Sequence, residues 1–485
     1  MARVKSNLQR IDYPSFSGGI NQSVPPESLQ RNELREAVNV ELSPETGAMT
    51  VRGGLFRLAD MYMTVSRVAE LPGMGGFIEA TEYSAVHMFT HGRVKSVDGY
   101  IYGRGNLSAA EWDGDYLIAS GGKLQRLTGR IWPSLREIES SPPYCRQVFV
   151  RSGRVGVVTA GNEIRFSAVG DCENWTNVPN DDSSAQFVEI GYKDGMNIDA
   201  VIPLSRDLII FKSPENEPDK GTIYRLTGDY PEWAVMEAAH STGTYSQRSV
   251  QSVGNEVYYV SVSGVASLSA VTSYGEIQAA MPDRKVNAAL SRLMSQDAQM
   301  WNIPCKSQLW VKPQKLSREV WVYDYGAGIW TTYEFPGEVI YAGSSDNVVY
   351  VFIGRYVYRL AEWKTEDDIP GGKSEVKARL KMGTLITGNQ TLIRRGLVSF
   401  RVKPGCEAEL RLGDFRMNFR HAVTEECAFD DTSCAYDDES EIIPSEKVIT
   451  SRRMCLVRGW TITPEIEMTG SGCAVSTMGL EMQEV

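Results

Sequence analysis

Histidine is scarce in this chain of 485 residues: His87, His91, His240 and His421 are the whole complement. That is few for an enzyme of such length. The close pair, His87 and His91, falls in a stretch that reads as strand and turn, without the glutamate that a zinc-protease helix supplies, so no metal is expected there. The eight cysteines (Cys145, Cys172, Cys305, Cys406, Cys427, Cys434, Cys455, Cys473) are scattered with no C-x-x-C pair, which argues against a structural zinc. Residues 1–30 have no apolar signal-peptide core, and no run approaches the length that spans a bilayer. The expectation is a chain with reduced thiols, made in and soluble in the cytoplasm.

Positive charge is also short. Lys and Arg total 50 against 61 Asp and Glu, a net charge of -11, which argues against a protein that grips phosphates through clustered cations. An acidic surface would instead let nucleic acid pass by repelling it.

Catalytic patterns are missing as well. Gly73-Met74-Gly75-Gly76 is not followed by Lys and Ser or Thr, so it reads as a loop between strands and not as a phosphate cradle. The acidic group Asp430, Asp431, Asp437, Asp438, Glu439 and Glu441 offers hard oxygen ligands but lacks the ligand spacing and glycine of an EF-hand, and reads as a solvated loop. Ser167 to Trp175 is the nearest approach to a sialidase-type turn, with its acid displaced and the motif unrepeated. No Ser or Cys has a recognisable activating context. Neither a catalytic residue nor a cofactor site is expected.

What is abundant is strand-forming sequence. Hydrophobic residues make up 42% of the chain, with 44 Gly, 22 Tyr and 10 Trp, and short Val, Ile and Tyr runs alternate with turn residues. The length exceeds what one core comfortably supports, so two or three domains are expected. From residue 55 to 362, hairpins centre on Ser120-Gly121-Gly122, Gly161-Asn162, Ser263-Gly264, Gly326-Ala327-Gly328 and Gly354-Arg355, and Leu208 to Phe211 pairs with Thr222 to Leu226. Hairpins recurring at uneven intervals suit a β-propeller of about six blades with loops of unequal length. A helical stretch interrupts it near 283–300, where Val286, Ala289, Leu290 and Leu293 share a face. Residues 363–374 read as a linker, and 375–485 as a C-terminal antiparallel β-sandwich-like domain. The fold class is mainly β.

Residues 1–54 form a separate N-terminal unit, a docking or capping segment. Residues 1–15 are polar and basic, a loose arm. Pro25 and Pro26 after Ser23 suit a helix's first turn, and Leu29, Leu34, Ala37 and Val38 fall on one helical face. Val40 and Leu42, the turn Pro44-Glu45-Thr46-Gly47, and Met49 and Val51 then make a hairpin.

The opening segment carries Phe16, Gly18, Gly19 and Asn21, then Glu33 and Asn39, then Arg52 and Gly53; Ser167, Gly170, Asp171 and Trp175 form a compact set further on, and Gly228 and Trp330 continue the order. Together these stretches resemble the tail nozzle, or head-completion (stabilisation), proteins of short-tailed bacteriophages, whose blade motif the set from Ser167 to Trp175 looks like. Cys172 stands where the group usually has Pro. The resemblance implies a structural virion protein made in the host bacterial cytoplasm and located in the virion tail. It would form a homo-oligomeric ring, usually a hexamer, below the phage portal and adaptor proteins. Its lumen would extend the DNA channel for genome retention and ejection, with DNA passing transiently and non-specifically. A tail fibre or spike, or a plug or needle protein, would bind below. The rival readings are a propeller adhesin or carbohydrate-binding scaffold, and a propeller glycan hydrolase.

Overall fold

A computed structural model describes residues 8–61, 63–73, 76–81, 85–159, 161–270, 277–280, 284–402, 406–420, 434–436, 442–444, 447–470 and 473–484. His421 and the acidic group between Asp430 and Glu441 lie outside the described residues.

Alternating apolar strands separated by Gly, Asn or Asp turns fold into seven four-stranded antiparallel blades. Their innermost strands are Val65–Leu71, Ser108–Trp112, Gln147–Arg151, Asn197–Leu204, Val250–Val253, Gln299–Ile303 and Val339–Ser345. Each packs on the next, and the seventh packs back on the first, closing a ring. Side chains stitch neighbouring inner strands: Ser108 Oγ meets the Val148 N–H and carbonyl at 3.2 Å each. The Val201 N–H donates to Gln147 Oε1 at 2.9 Å, and Gln251 Nε2 donates to the Met300 carbonyl at 3.0 Å. Hydrophobic clusters fill the spaces between adjacent blades.

The expected count of about six blades becomes seven. The six expected hairpins belong to the second to seventh blades; the uncounted one is the first, Val65–Leu71 to Arg93–Tyr100, whose segment reads in sequence only as loop and as strand and turn. The outermost strand of the seventh, Gly54–Asp60, comes from the other end of the propeller sequence and pairs with Tyr356–Ala361, from Asp60 opposite Tyr356 to Gly54 opposite Ala361. All six expected hairpins are present.

The expected helix after Ser23 is not formed. Pro26–Ser28 makes one 3-10 turn, and the chain continues as Glu33–Leu34, parallel to Gly19–Ile20, and then Glu36–Val38. Tertiary pairing overrides the helical pattern: Glu36–Val38 is inserted between the outer strand of the sixth blade, Ile329–Glu334, and the first C-terminal strand, Lys377–Lys381. Ala37 and Val38 are both buried, so the apolar run reflects a strand covered on both faces, as in a sheet interior. The hairpin is confirmed, with Val40 opposite Val51.

The nine-stranded sheet that results runs from the sixth blade through Glu36–Val38 into Lys377–Lys381, Pro464–Thr469, Glu407–Leu412 and Phe415–Arg420. A second C-terminal sheet orders Lys447–Ile462, Leu385–Val402, Ala474–Glu484, Met49–Val51 and Val40–Leu42. Its apolar residues share one core with the first sheet and the helix. Part of the expected loose arm, Leu8–Tyr13, is a strand on Ala474–Glu484, with Ile11 and Tyr13 buried. The expected helical stretch shortens to Arg284–Leu290, because Gln299–Ile303 is an inner blade strand. Within the expected linker, Glu366–Ile369 and Gly372–Glu375 form a hairpin around Gly371, whose φ is 89°.

Gly53 and Gly54 lie where the N-terminal segment enters the seventh blade. A Cβ on Gly53 would sit 2.5 Å from the Ala361 carbonyl oxygen, which is held in the blade ladder. Gly53→Ala is expected to lower stability by roughly 1–3 kcal/mol, as overpacking does, read as a fall in urea midpoint with unchanged slope; an unchanged midpoint would show that the clasp yields freely.

Candidate assembly joint

The buried feature that gathers most of the sequence signature is Arg52, 1% exposed. It follows the hairpin strand Met49–Val51 and points its guanidinium into the space between blade six, blade seven and the C-terminal sheets. Its Nη2 and Nη1 donate to Asp367 Oδ2 and Oδ1 at 2.7 and 3.0 Å, a bidentate pair. Nε donates to Asn39 Oδ1 at 2.9 Å, Nη1 also to the Gly53 carbonyl at 2.9 Å, and Nη2 also to the Glu334 carbonyl at 2.9 Å. All five guanidinium donors are therefore used. The cation lies 4.9 Å from the Phe335 ring centroid.

Asn39 is the second member. Its φ of 56° is left-handed, a conformation Asn tolerates better than most residues. That turn lets its Nδ2 reach the Lys377 carbonyl at 2.8 Å while Oδ1 also accepts the Glu334 N–H at 2.8 Å. Asp367 Oδ1 additionally accepts the Leu55 N–H at 2.8 Å. One polar knot thus ties residues 39, 52–55, 334, 367 and 377.

A second knot lies nearby in the opening segment. Glu33, 5% exposed, accepts from Asn21 Nδ2 at 2.9 Å and from the Gln30 N–H at 3.1 Å, and pairs with Lys285 Nζ at 3.2 Å. Lys285 also donates to the Gly18 carbonyl at 3.2 Å, which ties the segment to the helix. Burial raises the Glu33 carboxyl, but the bonds from Asn21, Gln30 and Lys285 outweigh it and hold the group below its ordinary value. Gly19, at φ +61°, leaves no room for a side chain: a Cβ would fall 2.8 Å from Ile329 Cβ and 3.0 Å from the Trp330 carbonyl. Phe16 and Trp330 are fully buried in the same core.

Phe16, Gly18, Gly19, Asn21, Glu33, Asn39, Arg52, Gly53 and Trp330 therefore lie in these two adjoining knots and the core beside them, and they are interior. They hold the sandwich to the propeller and offer almost no surface for docking. The other signature residues lie elsewhere. Ser167, fully buried, accepts the Val155 N–H at 3.0 Å; Gly170 takes φ 73°, Asp171 accepts the Glu173 N–H at 2.8 Å, and Trp175 Nε1 donates to the Cys172 carbonyl at 2.8 Å. This turn of the third blade is also held from the second, by Ser140 Oγ on the Glu173 carbonyl and by Arg126 on Glu173 Oε1 at 3.3 Å. Gly228, φ 72°, turns the fourth blade, and its carbonyl accepts from Arg151 of the third at 2.6 Å.

The partners that the sequence reading missed are Asp367, taken as linker, and Lys285. The sequence carries no signal for the first, since Asp367 sits in a stretch whose Pro and Gly content reads as linker. Adjacent to the joint lies a cleft of about 940 Å³ lined in part by Glu41, Pro44, Cys305, Lys306, Asp324 and Glu362. Lys306 Nζ holds Glu41 Oε2 at 2.8 Å and Glu362 Oε1 at 3.4 Å, so these carboxylates serve an ion pair. Burial pushes the Cys305 thiol up, opposite to an activated nucleophile.

Asp367→Asn is expected to cost about 3–5 kcal/mol, because it leaves the buried guanidinium without its counter-charge; a loss near zero in urea unfolding would remove the knot from the account. Glu33 has a depressed folded-state pKa, so its contribution is present above the unfolded value, about 4.3, and is lost as pH falls through the folded one. Glu33→Gln should therefore flatten the acid limb of stability against pH, and an unaltered acid limb would contradict this.

No family model matches the chain, and no curated protein matches it. Among solved structures, it is similar to U3-55K (11% identity, 63% of this chain and 98% of that one, TM-score 0.42). It is similar to the WD40 β-propeller domain of Doa1 (11% identity, 63% and 96%, TM-score 0.39), and to the β-propeller domain of Cps50 (Swd1) from Myceliophteria thermophila (9% identity, 64% and 100%, TM-score 0.43).

Proposed function

We propose that this chain is a structural subunit of the tail nozzle of a short-tailed bacteriophage, one wall segment of a ring that continues the portal–adaptor channel. The observation that carries the reading is the packing of nine signature residues, eight of them from residues 16–53 and the ninth Trp330, into the two adjoining buried knots that join propeller and sandwich. In a wall element, resistance to shear between modules matters more than an open cleft, and a propeller closed by its own N-terminal strand and joined by shared sheets to a sandwich supplies it. The acidic balance of the chain supports the same reading, since a lumen that held phosphates tightly would slow a passing genome. No turnover is asked of the protein.

On this reading the surfaces that meet the adaptor and the fibre or plug are exposed loops, and the opening segment acts indirectly by fixing their relative positions. Electron micrographs of the purified chain mixed with portal–adaptor complexes test the proposal. Rings extending the complex are expected; free monomers beside bare adaptor rings would overturn it.

A further inference from the structure

The innermost strands enclose an axial cavity of about 250 Å³, lined in part by Arg67 and Glu70 of the first blade, Gln247, Arg248 and Gln251 of the fifth and Gln299 of the sixth. It adjoins a second of about 400 Å³ on the side of the third and fourth blades, and Ser108, Gln247 and Gln251 border both. Each inner strand follows a connector, so position along the strand gives depth along the axis. Arg67 is the third residue of Val65–Leu71, and Arg248 lies in the 3-10 turn Gln247–Ser249 that leads into Val250–Val253. Both stand at the connector end. The first and fifth blades lie across the ring from each other, so the two guanidiniums reach the cavity from opposite walls.

Neither guanidinium has an ion-pair partner among the described residues. Arg67 uses only Nη1, which donates to the Gly103 and Gly105 carbonyls at 2.7 and 2.9 Å; its Nε and Nη2 bond to nothing among those residues. Arg248 Nε is buried and unbonded. The Gln299 amide, turned so that Nε2 donates to the Ile340 carbonyl, accepts from Arg248 Nη1 through Oε1, both at 3.0 Å, and so fixes that side chain. Burial pulls both guanidiniums below their ordinary values; Asp297 offsets this in part for Arg248, and no charge does so for Arg67.

The carboxylates of the axis lie deeper. Glu70, the one acid lining the first cavity, is three residues beyond Arg67 on its strand, about 10 Å further in, and burial pushes its carboxyl up, toward the neutral form. Glu111, which lines the second cavity, sits beside Gly73 at the turn end. At the connector end the cations are joined by the side-chain amides of Asn106 and Gln247, which make no hydrogen bond among the described residues. Two cations without counter-charge beside idle amides, in a chain of net charge -11, form an arrangement that an anion completes.

We infer that the axial cavity binds a small oxyanion, a phosphate or a carboxylate, between Arg67 and Arg248. Arg67 Nε and Nη2 present a fork of two donors, Arg248 Nε adds a third from the opposite wall, and the amides of Asn106 and Gln247 meet the remaining oxygens. The space is smaller than the roughly 300–1,000 Å³ of most ligand pockets, so the anion is small. Binding ties the first blade to the fifth across the axis, and the site stands independently of the nozzle reading.

Isothermal titration of the full-length chain with inorganic phosphate and, separately, with glucuronate at constant ionic strength tests this. Saturable binding of at least one probe is expected, phosphate alone assigning the site to phosphates and glucuronate alone to carboxylates, with a melting temperature that rises with the concentration of the bound probe. Arg67→Gln and Arg248→Gln should each weaken binding about tenfold or more, through loss of charge-assisted hydrogen bonds. Gln247→Glu breaks no hydrogen bond of the fold; it should abolish binding with the ligand-free melting curve unchanged, which keeps the test decisive where an arginine variant fails to fold. A wild-type chain that binds neither probe, or binding undiminished in Gln247→Glu or in a folded arginine variant, overturns the site.

Discussion

A guanidinium buried to 1% exposure with all five donors engaged constrains everything around it. Removing Arg52 from water is costly, and its attraction to Asp367 offsets that cost only while every lone pair and proton in the knot is matched. That demand fixes the left-handed turn at Asn39, the entry of Gly53 and Gly54 into the seventh blade, and the position of the hairpin bearing Asp367. Because the acceptors come from residues 39, 53, 334 and 367, a shift of any one module leaves a buried charge unpaired. Such a knot specifies register more than it adds stability: a well-packed apolar replacement of both partners can match its energy but does not select one arrangement.

The propeller depends on that arrangement in turn. Its ring closes through Gly54–Asp60, the strand that leaves the knot, so the closure of seven blades and the attachment of the C-terminal sheets are set at the same place. Glu36–Val38 continues the sixth blade into the sandwich without a break in hydrogen bonding. The module boundary is thus a shared sheet, stiffer than a linker.

The fold class was legible because hairpins are local. Turn residues such as Ser120-Gly121-Gly122 and Gly354-Arg355 announce themselves within a few positions, and alternation in Val257 to Val262 needs no distant partner. What was illegible is non-local. Glu36–Val38 has the spacing of a helix face and becomes a strand only because Ile329–Glu334 and Lys377–Lys381 offer it two ladders. Gly54–Asp60 could not be assigned to a blade without knowing that Tyr356–Ala361 lacked an outer neighbour, and the blade count was one short because the first blade, Val65 to Tyr100, shows in sequence only a Gly-rich loop and a strand and turn. In the joint, Asn21, Glu33, Asn39 and Arg52 were visible as a pattern. Their roles were not, since a motif's order does not tell whether its residues face solvent or a core, and Asp367 sits in a stretch whose Pro and Gly content reads as linker.

Propeller and sandwich are welded into one cooperative body by the Arg52 knot. Native-state hydrogen exchange in increasing urea measures this directly. The slowest amides of the blade strands and those of Lys377–Lys381, Pro464–Thr469 and Ala474–Glu484 are expected to merge into one opening isotherm. If the C-terminal strands open in a separate unit at a clearly lower free energy while the propeller stays protected, the two are merely tethered, and the joint does not do what is claimed for it.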